Sequence, residues 1–160
     1  MIGGNATWVI VTSILLALIV YVVPIPLEWR WFRPELPTLV LLYWVLALPH
    51  RVGIVSASLV GLILDFMDGM TPGAFSVGMA LSALTLLFSY QRLRLFDGFQ
   101  QSIVIGLVVA LALMIERWVQ NLMGVGGRGL VFLYPALTSA LVWVPLRNGL
   151  RGFRRHYEVS

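Results

Sequence analysis

The chain has 160 residues, 59% of them hydrophobic and only 11% charged, with a mean hydropathy of +0.91. A soluble domain carries roughly a quarter charged residues, so this composition reads as an integral membrane protein with no room for a second folded domain outside the bilayer. The eleven basic residues are all arginine, too few and too scattered for a nucleic-acid surface, and the absence of cysteine excludes disulfides, thiolate metal sites and cysteine nucleophiles.

The N-terminal stretch MIGGNATW has no positive region, and no small-residue cleavage site precedes Pro24, so the first apolar run reads as a retained helix rather than a signal peptide. Asn5-Ala6-Thr7 fits a glycosylation tripeptide, a pattern common by chance. Hydropathy divides the chain into six apolar segments, at about 8–23, 36–48, 52–66, 74–90, 99–115 (or to 122) and 130–146, followed by a basic tail over 147–160. The connector from Leu27 to Pro34 interleaves aromatic with charged residues, as headgroup-level segments do. Several segments fall short of the roughly 20 residues a span needs, which implies polar extensions, local thinning of the bilayer, or a re-entrant second and third segment. Pro135 is expected to kink the sixth segment.

With the N-terminus inside, Arg51, Arg92, Arg94, Arg147, Arg151, Arg154 and Arg155 fall on the cytoplasmic side, and Arg30, Arg33, Arg117 and Arg128 outside. This bias predicts that both termini are cytoplasmic, and that the basic tail lies against anionic lipid or a cytoplasmic partner. Small residues recur every four positions, as Gly53, Ala57 and Gly61 on the third segment and as Ala74, Gly78 and Ser82 on the fourth; in lipid such stripes let helix backbones approach.

Few motifs suggest chemistry. Gly124 to Gly129 spells GxGxxG, but between two membrane helices it reads as a turn and not as the strand-to-helix loop a dinucleotide needs. Asp65 and Asp68 would share a face of a continuing helix and suit a hard cation or a carboxylate pair; the plainer reading is an acidic helix end turning through Gly69, Pro72 and Gly73. His50 and Arg51 are a topology signal and a partner contact after a proline-ended helix; Tyr43, seven residues before His50, shares its face. Glu116, if the fifth helix continues to Leu122, needs a partner such as Gln120. No Ser-His-Asp set, HExxH or P-loop is present, so no enzyme, cofactor or metal site is expected.

The central stretch resembles the MreD family of bacterial rod shape-determining membrane proteins, in its proteobacterial form. The matching residues are Phe32-Arg33-Pro34, Leu41-Leu42-Tyr43-Trp44 and Leu46-Ala47-Leu48-Pro49-His50-Arg51-Val52, then Gly61, Leu64-Asp65, Gly69 and Gly73 in a G-x-x-L-D-x-x-x-G-x-x-x-G arrangement. After about Tyr90 only hydropathy and charge agree.

The resemblance implies a bundle of six transmembrane helices in the bacterial inner membrane, similar in fold to the S component of energy-coupling-factor transporters. It implies a non-enzymatic scaffold of the cell-wall elongation machinery that binds MreC directly, with MreB, RodA and a cell-wall transpeptidase in the wider complex. Carried onto this sequence, the motif makes Arg33, Tyr43, Trp44, Pro49, His50, Arg51, Gly61, Asp65 and Gly69 the candidate partner-binding or structural residues. Two other classes stand beside this reading. A small-molecule or lipid-binding membrane subunit of the S-component type predicts a polar-lined pocket among the first, fourth, fifth and sixth helices. An intramembrane enzyme would use Asp65, Asp68 and His50, but the predicted topology puts His50 opposite the acids.

Overall fold

Prolines and glycines cut the apolar runs into six α-helices in the computed structural model, which describes residues 5–69 and 72–157. They are α1 (Asn5–Val22), α2 (Leu36–Ala47), α3 (Ile54–Asp68), α4 (Ala74–Leu93), α5 (Gly98–Leu122) and α6 (Tyr134–His156), with single 3-10 turns at Leu27–Phe32 and Val131–Leu133. No strand occurs among the described residues. Two helices, α4 and α5, are long and apolar enough by themselves to cross a membrane, and α1 is apolar but shorter.

Two features of the sixth helix differ from expectation for identifiable reasons. Pro135 does not kink the sixth helix; it occupies its first turn, where a missing N–H costs nothing, and the proline inside the helix is Pro145. The basic segment after Leu146 is helical as far as His156 rather than a separate tail. α5 takes the longer of its two expected bounds, carrying Glu116 and Arg117 within its body and ending at Leu122, because nothing in that run breaks a helix before Gly124.

The second helix is the axis. Every residue of α2 from Pro37 to Leu46 is buried, with Leu39, Leu41, Leu42, Trp44 and Val45 at 0% exposure. α1, α4, α5 and α6 all pack on it. Its 12 residues span only about 18 Å, which is sustainable because its surroundings are protein rather than lipid. α3 packs chiefly on α4, so the second and third helices do not form a tight hairpin. The outer faces of the surrounding helices expose large apolar side chains, among them Leu16, Val55, Phe66, Phe88, Leu107 and Leu141. An apolar circumference of this extent needs a lipid or protein cover.

Successive helices meet at glycines. A Cβ on Gly61 would lie 2.5 Å from Cα of Ser76, so α3 and α4 touch backbone to backbone. A Cβ on Gly78 would come within 2.8 Å of the Ala112 carbonyl on α5, and one on Gly106 within 2.8 Å of the Ala140 methyl on α6. Close approach through small residues is how helices associate where no hydrophobic effect drives them together. The expected stripes contribute Gly61 and Gly78; Gly53 has nothing within 4 Å, and Gly106 lies outside both stripes.

Up-and-down connection gives the bundle two unlike ends. One carries Arg51, Arg92, Arg94, Arg147, Arg151, Arg154 and Arg155 with Asp97, and the other Glu28, Glu35, Asp65, Asp68 and Glu116 with Arg30, Arg33, Arg117 and Arg128.

Candidate functional site

At the acid end the controlling residue is Asp65, in the last turns of α3 and only 2% exposed. Its carboxylate accepts hydrogen bonds from the backbone N–H of Gly73 (2.9 Å), Phe75 (2.9 Å) and Ser76 (3.3 Å). These are the amides at the start of α4, which have no partner inside their own helix. Asp65 thus caps the next helix from the previous one, and its negative charge complements the positive end of α4. The turn between them requires Gly69 at φ +62° and Gly73 at φ +102°, left-handed values that a side chain resists. Ser76 Oγ donates back to the Ser58 carbonyl at 3.1 Å, beside the close contact at Gly61. Gly61, Asp65, Gly69 and Gly73 are therefore one structural device that locks α3 to α4. Asp68 does not share in it: its carboxylate accepts the Tyr21 hydroxyl of α1 at 2.9 Å.

Arg33 performs a second closure at this end. Its Nη2 donates to the Val20 carbonyl at 2.9 Å while the guanidinium lies 4.5 Å from the centre of the Tyr21 ring. A cation on the last carbonyls of α1 satisfies groups that the helix leaves open. Glu35 donates its backbone N–H to Ser139 Oγ at 3.0 Å, tying the start of α2 to α6. Its Oε2 is buried with no hydrogen-bond partner among the described residues. It borders a space of about 10 Å³ shared with Thr38 and Glu116, room for about one water. Glu116 accepts from Gln120 Nε2 at 2.9 Å, the partner the sequence suggested.

In the core, Trp44 donates its indole N–H to Ser13 Oγ at 2.8 Å, joining α2 to α1. Tyr43 stands edge-on to Trp44 and tilted against Trp143, linking α2 to α6. At the arginine end, Pro49, His50 and Arg51 form the turn after α2; His50 and Arg51 are exposed, and the Arg51 and Val52 amides close back on the Leu48 carbonyl.

The nine candidate residues thus fall into three groups. Arg33, Gly61, Asp65 and Gly69 organise the acid end, Tyr43 and Trp44 the core, and Pro49, His50 and Arg51 an exposed turn at the other end. Sequence reasoning passed over Arg94, which donates from Nε and Nη2 to the Leu46 carbonyl (3.0 and 2.8 Å) and from Nη2 to that of Ala47 (2.9 Å). It caps the end of α2 as Arg33 caps that of α1. Its partners lie 47 and 48 residues away, and no local signal announces them.

One lateral feature remains. Between α1 and α6, with α2 as its floor, runs an apolar groove of about 390 Å³. Ala17, Val40, Trp44, Gly149, Leu150 and Phe153 are among the residues that line it. The Trp8 and Tyr157 rings, 5.1 Å apart and edge to face, lie at its arginine end.

The family model described as rod shape-determining protein MreD matches residues 4–152. A rod shape-determining protein MreD of Haemophilus influenzae is 27% identical over 150 residues, covering 94% of this chain and 93% of that protein. No solved structure matches the chain at a significant level.

Proposed function

Because this chain belongs to the MreD family of rod shape-determining proteins, we propose that it is a non-enzymatic, multi-pass scaffold that seats the single transmembrane helix of MreC in the groove between α1 and α6. The groove is the observation that carries this reading. It is lateral, apolar and floored by a buried helix, so a helix entering from the lipid exchanges lipid contacts for protein ones. Gly149 and Ala17 keep opposite walls low. The proposed setting is the bacterial inner membrane, with six spans similar in arrangement to a transporter S component, and with both termini and the arginine end in the cytoplasm. There Arg51 and the arginines of α6 face the MreB side of a complex that also includes RodA and a transpeptidase.

The rival reading as a small-molecule or lipid-binding subunit predicts a polar-lined pocket among α1, α4, α5 and α6. The enclosed space within the bundle, among α2, α4 and α5, amounts to about 10 Å³, too little for a vitamin-sized ligand, and the polar cavity that opens at the arginine end is lined from α2, α4, α5 and α6 without α1.

The test is co-purification of MreC from native membranes in mild detergent. A Cβ on Gly149 meets nothing within 4 Å, so Gly149→Trp fills the groove without disturbing the bundle. Recovery of MreC is expected to fall at least about fivefold, since about 1 kcal/mol of lost binding already gives that ratio. The thermal midpoint of the variant should stay that of the parent. Full recovery with Gly149→Trp removes the groove from the interface, and no recovery even with the parent chain removes MreC as a direct partner.

A further inference from the structure

A second cavity, of about 300 Å³, opens at the arginine end among α2, α4, α5 and α6. Four guanidinium groups line it, from Arg94, Arg147, Arg151 and Arg154, and no carboxylate does. On α6 the spacing 147, 151 and 154 brings three of them to one face. Three of them have identifiable neighbours. Arg94 is fixed by the carbonyls that end α2. Arg154 shares the cavity lining with the Tyr43 side chain. The Arg147 Nη1 lies 3.2 Å from where a Cβ on Gly98 would sit, so it rests on the first turn of α5. That turn carries the partial positive charge of a 25-residue helix, offset in part by its N-cap residue Asp97, which is not among the residues lining the cavity.

The floor is equally fixed. Gln101, only 5% exposed, donates from its amide to the Leu93 carbonyl at 3.1 Å and accepts the Trp143 indole N–H at 3.2 Å.

Gathering four like charges and a helix N-terminus around one concavity costs energy in the empty protein. An anion that spreads its charge over several oxygens reverses the cost, and the planar guanidinium fork matches phosphate in this respect. A carboxylate offers two oxygens and one charge, fewer than this lining is built to engage. We infer that the cavity is a phosphate-binding site, its ligand a phosphoester group supplied either by a phospholipid headgroup or by a soluble phosphate compound. The site needs no partner protein and stands whether or not the groove binds MreC.

The test uses the full chain purified in detergent, with binding read by native mass spectrometry. Three probes distinguish the sources: dioleoylphosphatidic acid, dioleoylglycerol with the same chains and no phosphate, and inorganic pyrophosphate. Arg147→Gln/Arg151→Gln removes two of the four guanidiniums; Arg92→Gln/Arg155→Gln removes the same charge from the same end, outside the cavity. Arg151→Gln alone, at an exposed position, serves if the double variant fails to fold. Phosphatidic acid is expected to bind at least tenfold better than dioleoylglycerol, to weaken at least tenfold in the cavity variant, and to be unchanged in the control. Pyrophosphate binding with the same arginine dependence, and no gain from the acyl chains, assigns the site to a soluble ligand instead. Equal losses in both variants, equal binding of dioleoylglycerol, or no binding of either phosphate probe overturns the inference.

Discussion

The two ends of this bundle handle charge in opposite ways. At the acid end Asp65 is used up inside the chain, its carboxylate filled by three backbone amides and its position fixed by a glycine turn. At the arginine end Arg94 is spent in that manner, on the carbonyls of α2, while Arg147, Arg151 and Arg154 line an open cavity. A buried charge that is fully hydrogen-bonded holds a fold together, whereas charges gathered around a space are arranged for something that enters it. The first end is architecture and the second is an address.

Substitutions can break or sharpen that contrast. The largest effect is expected at Asp65. Asp65→Ala strands three amides in a buried turn and should cost about 3 kcal/mol or more, since each unsatisfied donor costs about 1–3 kcal/mol; Asp65→Asn, which keeps an acceptor oxygen, should lose less. Thermal unfolding in detergent reads the difference, and equal stability of all three proteins would mean that the cap does not hold α3 to α4. Arg94→Ala comes next, at about 1–2 kcal/mol for the lost charge-assisted bonds to α2. A loss as large as that at Asp65 would erase the distinction between the ends. Smallest is Arg151→Gln, exposed and facing the cavity, which should leave stability within about 0.5 kcal/mol of the parent. If it destabilises the protein instead, the arginine face of α6 is structural, and the contrast fails from that side.

Much of the architecture was legible in the chain because hydropathy and proline placement are local. The six apolar runs became six helices, and the spacing Gly61, Leu64-Asp65, Gly69, Gly73 marked the α3–α4 turn before its mechanism was visible. Asp65 looked like one of a carboxylate pair because Asp68 shares its helix face. The amides that claim it belong to the following helix, 8 to 11 residues on, beyond the two or three residues over which an N-cap side chain announces itself. Pro135 did carry a local signal, since a proline next to a helix start belongs to its first turn. The arginine caps on α1 and α2 were not legible, because their partners are distant carbonyls that carry no side-chain identity. Nor was the groove, which depends on how far apart α1 and α6 stand over α2, a distance no periodicity encodes.

The burial of α2 also bears on how the protein comes into being. Its neighbours on the far side, α4, α5 and α6, are all translated after it. When α2 first meets the translocon it is a short apolar stretch with only α1 beside it, too brief to rest stably across hydrocarbon. Its enclosure waits for the later helices. The burial of the segment at the centre of the protein is thus complete only once the C-terminal half of the chain has been made.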